Sequence, residues 1–137
     1  MRWLFILVIM AAASLLLVAC NSRQPTISVE ATSLDLGNVV NGNIVSRDLA
    51  LRNDGDADLV IDSIITSCTC TQATVDPMTI PVGQSGILHI EFDSGFHGPD
   101  LTGPLVRQVF ISSNDPQQPE LEVELSVNVE AGNSSFG

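Results

Sequence analysis

The stretch Glu120–Glu130, with the sequence ELEVELSVNVE, decides the fold class of this chain. Apolar side chains occupy every second position from Leu121 to Val129, and charged or polar side chains occupy the positions between them. Strict alternation with a period of two places one face of a β-strand against a core and the other face in water. A shift of register by one residue would bury the glutamates, so we expect the pairing of this strand to be strongly specified.

The same alternation recurs upstream, most clearly in Gly86–Ser94, where Leu88, Ile90 and Phe92 share one face. We predict further strands, separated by turns rich in Asn, Asp, Gly and Pro, at Thr26–Ala31, Leu34–Leu36, Ile44–Asn53, Leu59–Thr66, Thr71–Val75 and Leu105–Ser113. No window has a sustained helical period. Seven or eight short strands at this spacing predict an all-β fold, an immunoglobulin-like two-sheet β-sandwich spanning residues 26–130.

The first twenty residues have the composition of an export signal. Arg2 precedes an apolar run from Trp3 to Leu17, and small residues come just before Cys20, which is the three-part pattern of a secretory signal peptide. The run of 15 residues is shorter than the about 20 that a membrane-spanning helix needs. The string Leu17-Val18-Ala19-Cys20 resembles the bacterial lipobox, and that resemblance implies cleavage after residue 19 and fatty acylation of Cys20.

We therefore expect a signal peptide over residues 1–19, a lipidated Cys20 followed by a short polar tether to residue 25, and a flexible tail over residues 131–137. The tether from Asn21 to Pro25 can span at most about 17 Å when it is fully extended. The domain would then lie close to a bilayer. The expected location is outside the cytoplasm, with a lipid anchor in the cell membrane or the outer membrane.

The charge balance limits the partners that this chain can bind. The 16 acidic residues outnumber the five basic ones, and the net charge is −11. Binding to nucleic acid needs clustered positive charge, so the composition argues against nucleic acid and against electrostatic adhesion to anionic lipid. The expected partners are a membrane, reached through the lipid anchor, and another protein of the envelope.

Several short motifs follow one another between Leu34 and Val129. The clearest is Ser67-Cys68-Thr69-Cys70-Thr71, and others are Leu51-x-Asn53-x-Gly55 and Ser113-Asn114-Asp115-Pro116. Together they resemble a bacterial family of unknown function with a Hydin-like (ASH-type) immunoglobulin fold, whose hallmark is Ser-Cys-Gly-Cys-Thr. Here Thr69 stands in place of the glycine. The resemblance implies a fold and an exported or lipid-anchored setting, and it implies no known activity.

Cys68 and Cys70 are the only thiols that remain once Cys20 is lipidated. In a strand, residues two apart share a face with α-carbons about 6.5 Å apart, which is the upper limit of disulfide geometry. A bridge would therefore need a local kink. Three interpretations stay open: a structural or strained disulfide, two thiols without a role, and a soft-metal site, since two thiolates suit Cu(I) or Zn.

Met78, His89 and His97 are weak candidates to complete such a metal site. They are widely separated along the sequence, and no repeated cysteine pair accompanies them. His89 alternates outward on a predicted strand, where a solvated histidine is the usual occupant. His97 lies in the glycine-rich segment Gly95–Pro99, where the sequence indicates no reason for its exposure.

No recognisable pairing of nucleophile and base is present, so we expect a protein that is not an enzyme. The long loop Ser94–Pro104 is the predicted contact surface, because Phe96 and Leu101 are apolar there and no strand buries them; the alternative is that both tuck under the sandwich as a lid. The expected function is a non-catalytic binding or scaffolding module at the cell envelope, with no cofactor besides the lipid. The alternative is a copper-binding or thiol-redox lipoprotein that uses Cys68 and Cys70.

Overall fold

The computed structural model describes residues 22–132, which form nine strands and no helix. The predicted signal peptide, Cys20 and most of the predicted tail lie outside the described residues. The strands are β1 (Ile27–Val29), β2 (Ser33–Val40), β3 (Ile44–Asn53), β4 (Leu59–Thr66), β5 (Thr71–Asp76), β6 (Thr79–Ile80), β7 (Ser85–Asp93), β8 (Gly103–Ser113) and β9 (Glu120–Glu130). Residues 22–132 contain no helix with the length and hydropathy of a membrane span.

The strands form two sheets, and the predicted all-β sandwich is confirmed. One sheet has the order β1-β3-β7-β5, and the other has the order β2-β9-β8-β4-β6. Every pairing is antiparallel except that of β2 with β9, which is parallel. All eight predicted strands are present. The additional strand β6 has only two residues, too few to produce a periodic pattern in the sequence.

The core lies between the two sheets and is built from the alternating positions of the strands. Leu88, Ile90 and Phe92 of β7 are buried on one side, and Val123 and Leu125 of β9 are buried on the other. The glutamates of β9 are exposed, as the alternation predicted. Because removing apolar surface from water contributes about 25 cal/mol per Å², this interior is the main source of stability of the domain.

The strands define two ends of the sandwich. At one end, Ile27 of β1 pairs with Asn53, the last residue of β3; we call this end, which also carries residues 22–26, the proximal pole. At the other end, Ile44 pairs with Asp93, and the turns Asn41–Asn43 and Ser67–Cys70 lie beside the loop that follows β7; we call this end the distal pole. Strand β3 has ten residues, so the poles are about 33 Å apart at 3.3 Å per residue.

Candidate functional site

The chain enters the sandwich at the proximal pole through contacts that begin at Gln24. The Gln24 N–H donates to Asp56 Oδ1 at 2.7 Å, and the Asp56 N–H donates back to the Gln24 carbonyl at 2.9 Å. A Cβ at Gly55 would lie 2.3 Å from that carbonyl oxygen, so only glycine allows this close approach. Pro25 is buried. Residues 24–26 are therefore held against the turn after β3 by hydrogen bonds of the backbone.

Asn53 supports the same entry point from inside the fold. It is fully buried, and its Nδ2 donates to the carbonyls of Ala57 at 2.8 Å and Ile80 at 3.0 Å. Its Oδ1 accepts a hydrogen bond from the Gly55 N–H at 3.0 Å. Because both sides of the amide are satisfied, this polar side chain is stable in the core. The motif Leu51-x-Asn53-x-Gly55 thus holds the turn after β3 against residues 24–26.

Asp115 closes the proximal pole from the other sheet. Its Oδ2 accepts a hydrogen bond from the Ile27 N–H at 2.9 Å, and its Oδ1 accepts bonds from the Gln117 and Gln118 N–H groups at 2.8 and 3.2 Å. Burial alone would raise the pKa of this carboxyl, but the three backbone donors outweigh burial and hold the pKa of Asp115 below its usual value. The motif Ser113-Asn114-Asp115-Pro116 therefore fixes β1 to the opposite sheet.

At the distal pole, Cys68 and Cys70 lie in the turn between β4 and β5 and are joined by a disulfide. Their α-carbons are 5.2 Å apart, inside the range of disulfide geometry. The turn provides the kink that the sequence required for a bridge. No residue other than glycine has a positive φ among the described residues, so Thr69 meets no strain where the family hallmark has glycine.

Each sulfur has its own hydrogen-bond donors. Cys68 Sγ lies 3.2 Å from the Cys70 backbone nitrogen and 3.2 Å from His97 Nε2. Because a disulfide sulfur carries no hydrogen, His97 is the donor in this contact. Cys70 Sγ accepts a hydrogen bond from Arg107 Nε at 3.2 Å. Cys70 is only 2% exposed, whereas Cys68 is half-buried.

The structure brings one of the three weak metal candidates to the cysteines. The ligand atoms of His97, Cys68 and Cys70 all lie within 4.8 Å of one another. The distance of His97 from the cysteines along the sequence therefore gave no indication that they meet in the fold. His89 instead faces outward from β7 and pairs with Asp48. Met78 follows β5 at the proximal pole and is exposed, so it lies at the other end of β5 from Cys70.

Arg107 is the residue of this site that the sequence analysis missed. It lies on β8 opposite the core residue Leu125 and is half-buried, and its Nη1 donates to the carbonyl of Val106 at 2.8 Å. A signal was present in the sequence: Arg107 occupies an inward position of the alternation between Leu105 and Val109. A charge on the apolar face of a strand usually has a specific partner, and here the partner is Cys70 Sγ.

The loop between β7 and β8 covers residues 94–102, because Gly103 and Pro104, which were predicted as loop, belong to β8. It lies beside the cysteine turn and is fixed to the turn between β2 and β3. Asn41 Nδ2 donates to the carbonyls of Gly98 at 3.0 Å and Leu101 at 2.9 Å. Buried Ser94 Oγ donates to the Asn43 carbonyl at 2.7 Å. These side-chain hydrogen bonds fix the backbone of the loop to the turn.

The two apolar residues of this loop differ in their surroundings. Leu101 is half-buried. Phe96 is 52% exposed, and its ring packs edge-on against the ring of His97 with centroids 5.2 Å apart. A large aromatic side chain is therefore presented to solvent next to the disulfide.

Comparison with known proteins supports the fold and leaves the activity open. The family model described as "Protein of unknown function (DUF1573)" matches residues 27–129, and no curated protein matches the sequence. A protein of unknown function from Porphyromonas gingivalis W83 is similar with a TM-score of 0.68 and 23% identity, over 82% of this chain and 50% of that one. The chain thus spans about half the length of that protein.

Two further structures show the same architecture. The ASH/PapD-like domain 7 of human CEP192 is similar with a TM-score of 0.61 and 12% identity, over 80% of this chain and 88% of that one. The chaperone YadV is similar with a TM-score of 0.56 and 13% identity, over 77% of this chain and 52% of that one. At these identities the similarity shows the fold alone, an immunoglobulin-type sandwich of the ASH/PapD-like kind.

Proposed function

The chain belongs to the DUF1573 family of proteins of unknown function, and we propose that it is a non-catalytic binding or scaffolding module held at the cell envelope by a lipid on Cys20. The observation that carries this proposal is the loop of residues 94–102, which is hydrogen-bonded to the neighbouring turn and presents Phe96 to solvent. The partner is another envelope protein that covers the Phe96 ring.

The rigidity of the loop supports a role in binding. Ordering a mobile loop on association costs free energy, and a loop that is already ordered avoids that cost. Asn41 and Ser94 supply this order through their bonds to the loop and to the neighbouring turn. Exposed aromatic residues at the centre of an interface contribute a large share of binding energy. Phe96 is an exposed aromatic side chain on such a loop, so we expect a partner to cover it.

The position of the chain entry supports a protein partner rather than a lipid one. The described chain enters at the proximal pole, where Gln24 is fixed by Asp56. From Cys20 to Gln24 the backbone reaches at most about 14 Å. The loop that carries Phe96, which we call the contact loop, lies at the opposite pole, about 33 Å away along β3. A lipid on Cys20 would hold the proximal pole at the bilayer and direct Phe96 away from it.

Photo-crosslinking in intact cells tests this proposal. A photoreactive amino acid replaces Phe96 in the full-length protein at its native level of synthesis, and the matched control places the same group at Val82, which is 48% exposed at the proximal pole. We expect a discrete adduct with one envelope protein from position 96 and none from position 82. Equal adducts from both positions, or none from position 96, would overturn the assignment of the contact surface.

A second candidate function, copper binding or thiol-redox chemistry, is favoured by the position of His97 against Cys68 Sγ. Reduction of the disulfide would free two thiolates beside an imidazole, a donor set that suits Cu(I) or Zn. Elemental analysis and a thiol count of protein purified without a chelator test this candidate. Stoichiometric copper that is lost in the Cys68→Ser/Cys70→Ser variant would support metal binding. An intact disulfide without metal would count against metal binding and would leave thiol-redox chemistry as the alternative.

A further inference from the structure

Hydrogen-bond donors from three parts of the chain converge on the sulfur atoms of the Cys68–Cys70 disulfide. The donors are the Cys70 N–H and His97 Nε2 for Cys68, and Arg107 Nε and the Thr71 hydroxyl for Cys70. A disulfide sulfur accepts hydrogen bonds weakly, whereas bonds to an ionised acceptor are roughly twice as strong as neutral ones. The same donors therefore stabilise reduced, ionised sulfurs more than they stabilise the oxidised pair.

The two sulfurs also differ in access. Cys70 is buried beneath the turn, whereas Cys68 is half-buried beside the exposed side chain of His97. Exchange rates depend on which sulfur is attacked, on its access, and on the pKa of the thiol that leaves. Cys68 is thus the sulfur that an external thiolate can reach, and Cys70 is the sulfur that must leave.

We propose that Cys68 and Cys70 form a thiol–disulfide exchange couple, in which a partner dithiol attacks Cys68 and Arg107 stabilises the departing Cys70 thiolate. This inference rests on the thiol-redox candidate described above and does not depend on binding at the contact loop. It adds Arg107, it assigns different roles to the two cysteines, and it names a dithiol as the class of co-reactant.

The exchange balances in two steps. In the first, a thiolate of the partner forms a bond to Cys68 Sγ, the bond between the two protein sulfurs breaks, and its electron pair stays on Cys70 Sγ beside Arg107 Nε. In the second, the other thiolate of the partner attacks the partner's own sulfur in the mixed disulfide and expels Cys68 as a thiolate beside His97 Nε2. The partner dithiolate loses two electrons and becomes a disulfide, and Cys68 and Cys70 gain those two electrons and are left as thiolates.

The charge of Arg107 favours this chemistry over the binding of a metal cation. The guanidinium contacts Cys70 Sγ directly, and a metal held by the same sulfur would place two positive charges close together. The salt bridges among residues 22–132 are Arg52 with Asp54 and His89 with Asp48, so no carboxylate neutralises Arg107 there. A nearby arginine lowers the pKa of a cysteine thiol, which makes that thiol the better leaving group.

The first experiment removes the positive charge and keeps the length of the side chain. The full-length protein in detergent is compared with its Arg107→Met variant by the pH dependence of alkylation at Cys70, read by mass spectrometry, after reduction with dithiothreitol. We expect the alkylation midpoint of the variant to rise by about one pH unit. The equilibrium constant for reduction in a glutathione redox buffer should fall by up to about tenfold.

Two further variants make the result interpretable. Arg47→Met is the matched control, because Arg47 Nη1 also donates to the preceding carbonyl but contacts no sulfur; it should change neither quantity. Arg107→Gln also removes the charge and should raise the midpoint by a similar amount, which keeps the test available in the event that Arg107→Met does not fold. Unchanged midpoints in both Arg107 variants would overturn the role of Arg107 alone, whereas a wild-type disulfide that resists dithiothreitol would overturn the thiol-redox candidate itself.

The second experiment tests the asymmetry of the two sulfurs. Cys70→Ser leaves only Cys68 in the turn, and Cys68→Ser leaves only Cys70. With oxidised glutathione as the probe, we expect Cys68 to form the mixed disulfide about tenfold faster than Cys70, because access governs the reaction of a thiolate. Equal rates, or a faster reaction of Cys70, would overturn the proposed order of attack.

Discussion

Replacement of Asp115 by Asn tests how the proximal pole is held together. In the native protein one carboxylate oxygen accepts the Ile27 N–H and the other accepts two N–H groups of the following turn. Asn has the same shape but only one acceptor oxygen, so its NH₂ group must face at least one backbone donor. Neither orientation of the amide satisfies all three donors.

The expected loss of stability is about 3 kcal/mol at pH 7. A buried donor that loses its acceptor costs about 1–3 kcal/mol, and Asp115 is 2% exposed, with Ile27 buried beside it. The hydrogen bonds from the Gln117 and Gln118 N–H groups become weaker because the acceptor is no longer charged. Both residues are exposed, so water can replace part of the lost hydrogen-bond energy. The matched control is Asp58→Asn: Asp58 is an exposed acid at the same pole, and its replacement should cost less than about 0.5 kcal/mol.

The difference between the wild type and Asp115→Asn should depend on pH. The pKa of Asp115 is lowered in the folded state from the ordinary value of 3.8. A carboxyl with a lowered folded-state pKa stabilises the protein above its unfolded-state pKa, and this stabilisation is lost as the pH falls through the folded-state value. The difference should therefore be complete above about pH 5 and shrink below pH 4. Asp54, whose pKa is also lowered through its bonds to Ser28 and Arg52, is present in both proteins, so its contribution cancels.

Urea unfolding of residues 22–137 measures these quantities, because the buried apolar core lies entirely within Ile27–Val129. The only tryptophan is Trp3 and there is no tyrosine, so far-UV circular dichroism is the signal to follow. A difference below about 1 kcal/mol at pH 7, or one that stays constant between pH 3 and pH 7, would refute the role assigned to the Asp115 carboxylate.

Three other predictions test the core, the anchor and the loop. Leu125→Asp places an unpaired charge at a position that is 1% exposed and should leave the domain unfolded by circular dichroism, whereas Glu122→Lys on the outer face of the same strand should change stability by less than about 0.5 kcal/mol; a folded Leu125→Asp protein would contradict the strand register. Cys20→Ala should move the full-length protein from the membrane fraction to the soluble fraction, and continued membrane association would rule out the lipid anchor. Asn41→Ala removes two hydrogen bonds to the contact loop and should speed amide hydrogen exchange there about tenfold; unchanged exchange would mean that other contacts order the loop.

The candidate site could be predicted from the sequence only in part. The spacing of Cys68 and Cys70 indicated the pair and the kink that a bridge would need, because two residues so close in the chain are constrained locally. His97 was placed among the weak candidates, since nothing in its own segment indicates which turn the loop would meet. Arg107 was missed although it interrupts the apolar face of β8, because the sequence does not show what lies opposite an inward-facing charge.

The alternation of Glu120–Glu130 and its counterparts was enough to establish the all-β sandwich, because a period of two is a local property of the chain and each strand must bury its own apolar face. The sequence alone likewise established the excess of acidic residues and the composition of the first twenty residues. Only the tertiary structure decided that His97 and Arg107 meet the cysteines, and that the contact loop lies at the opposite pole from Gln24. Those positions depend on the order of the strands within the two sheets and on how the sheets face each other. Both bring together residues that are tens of positions apart in the sequence.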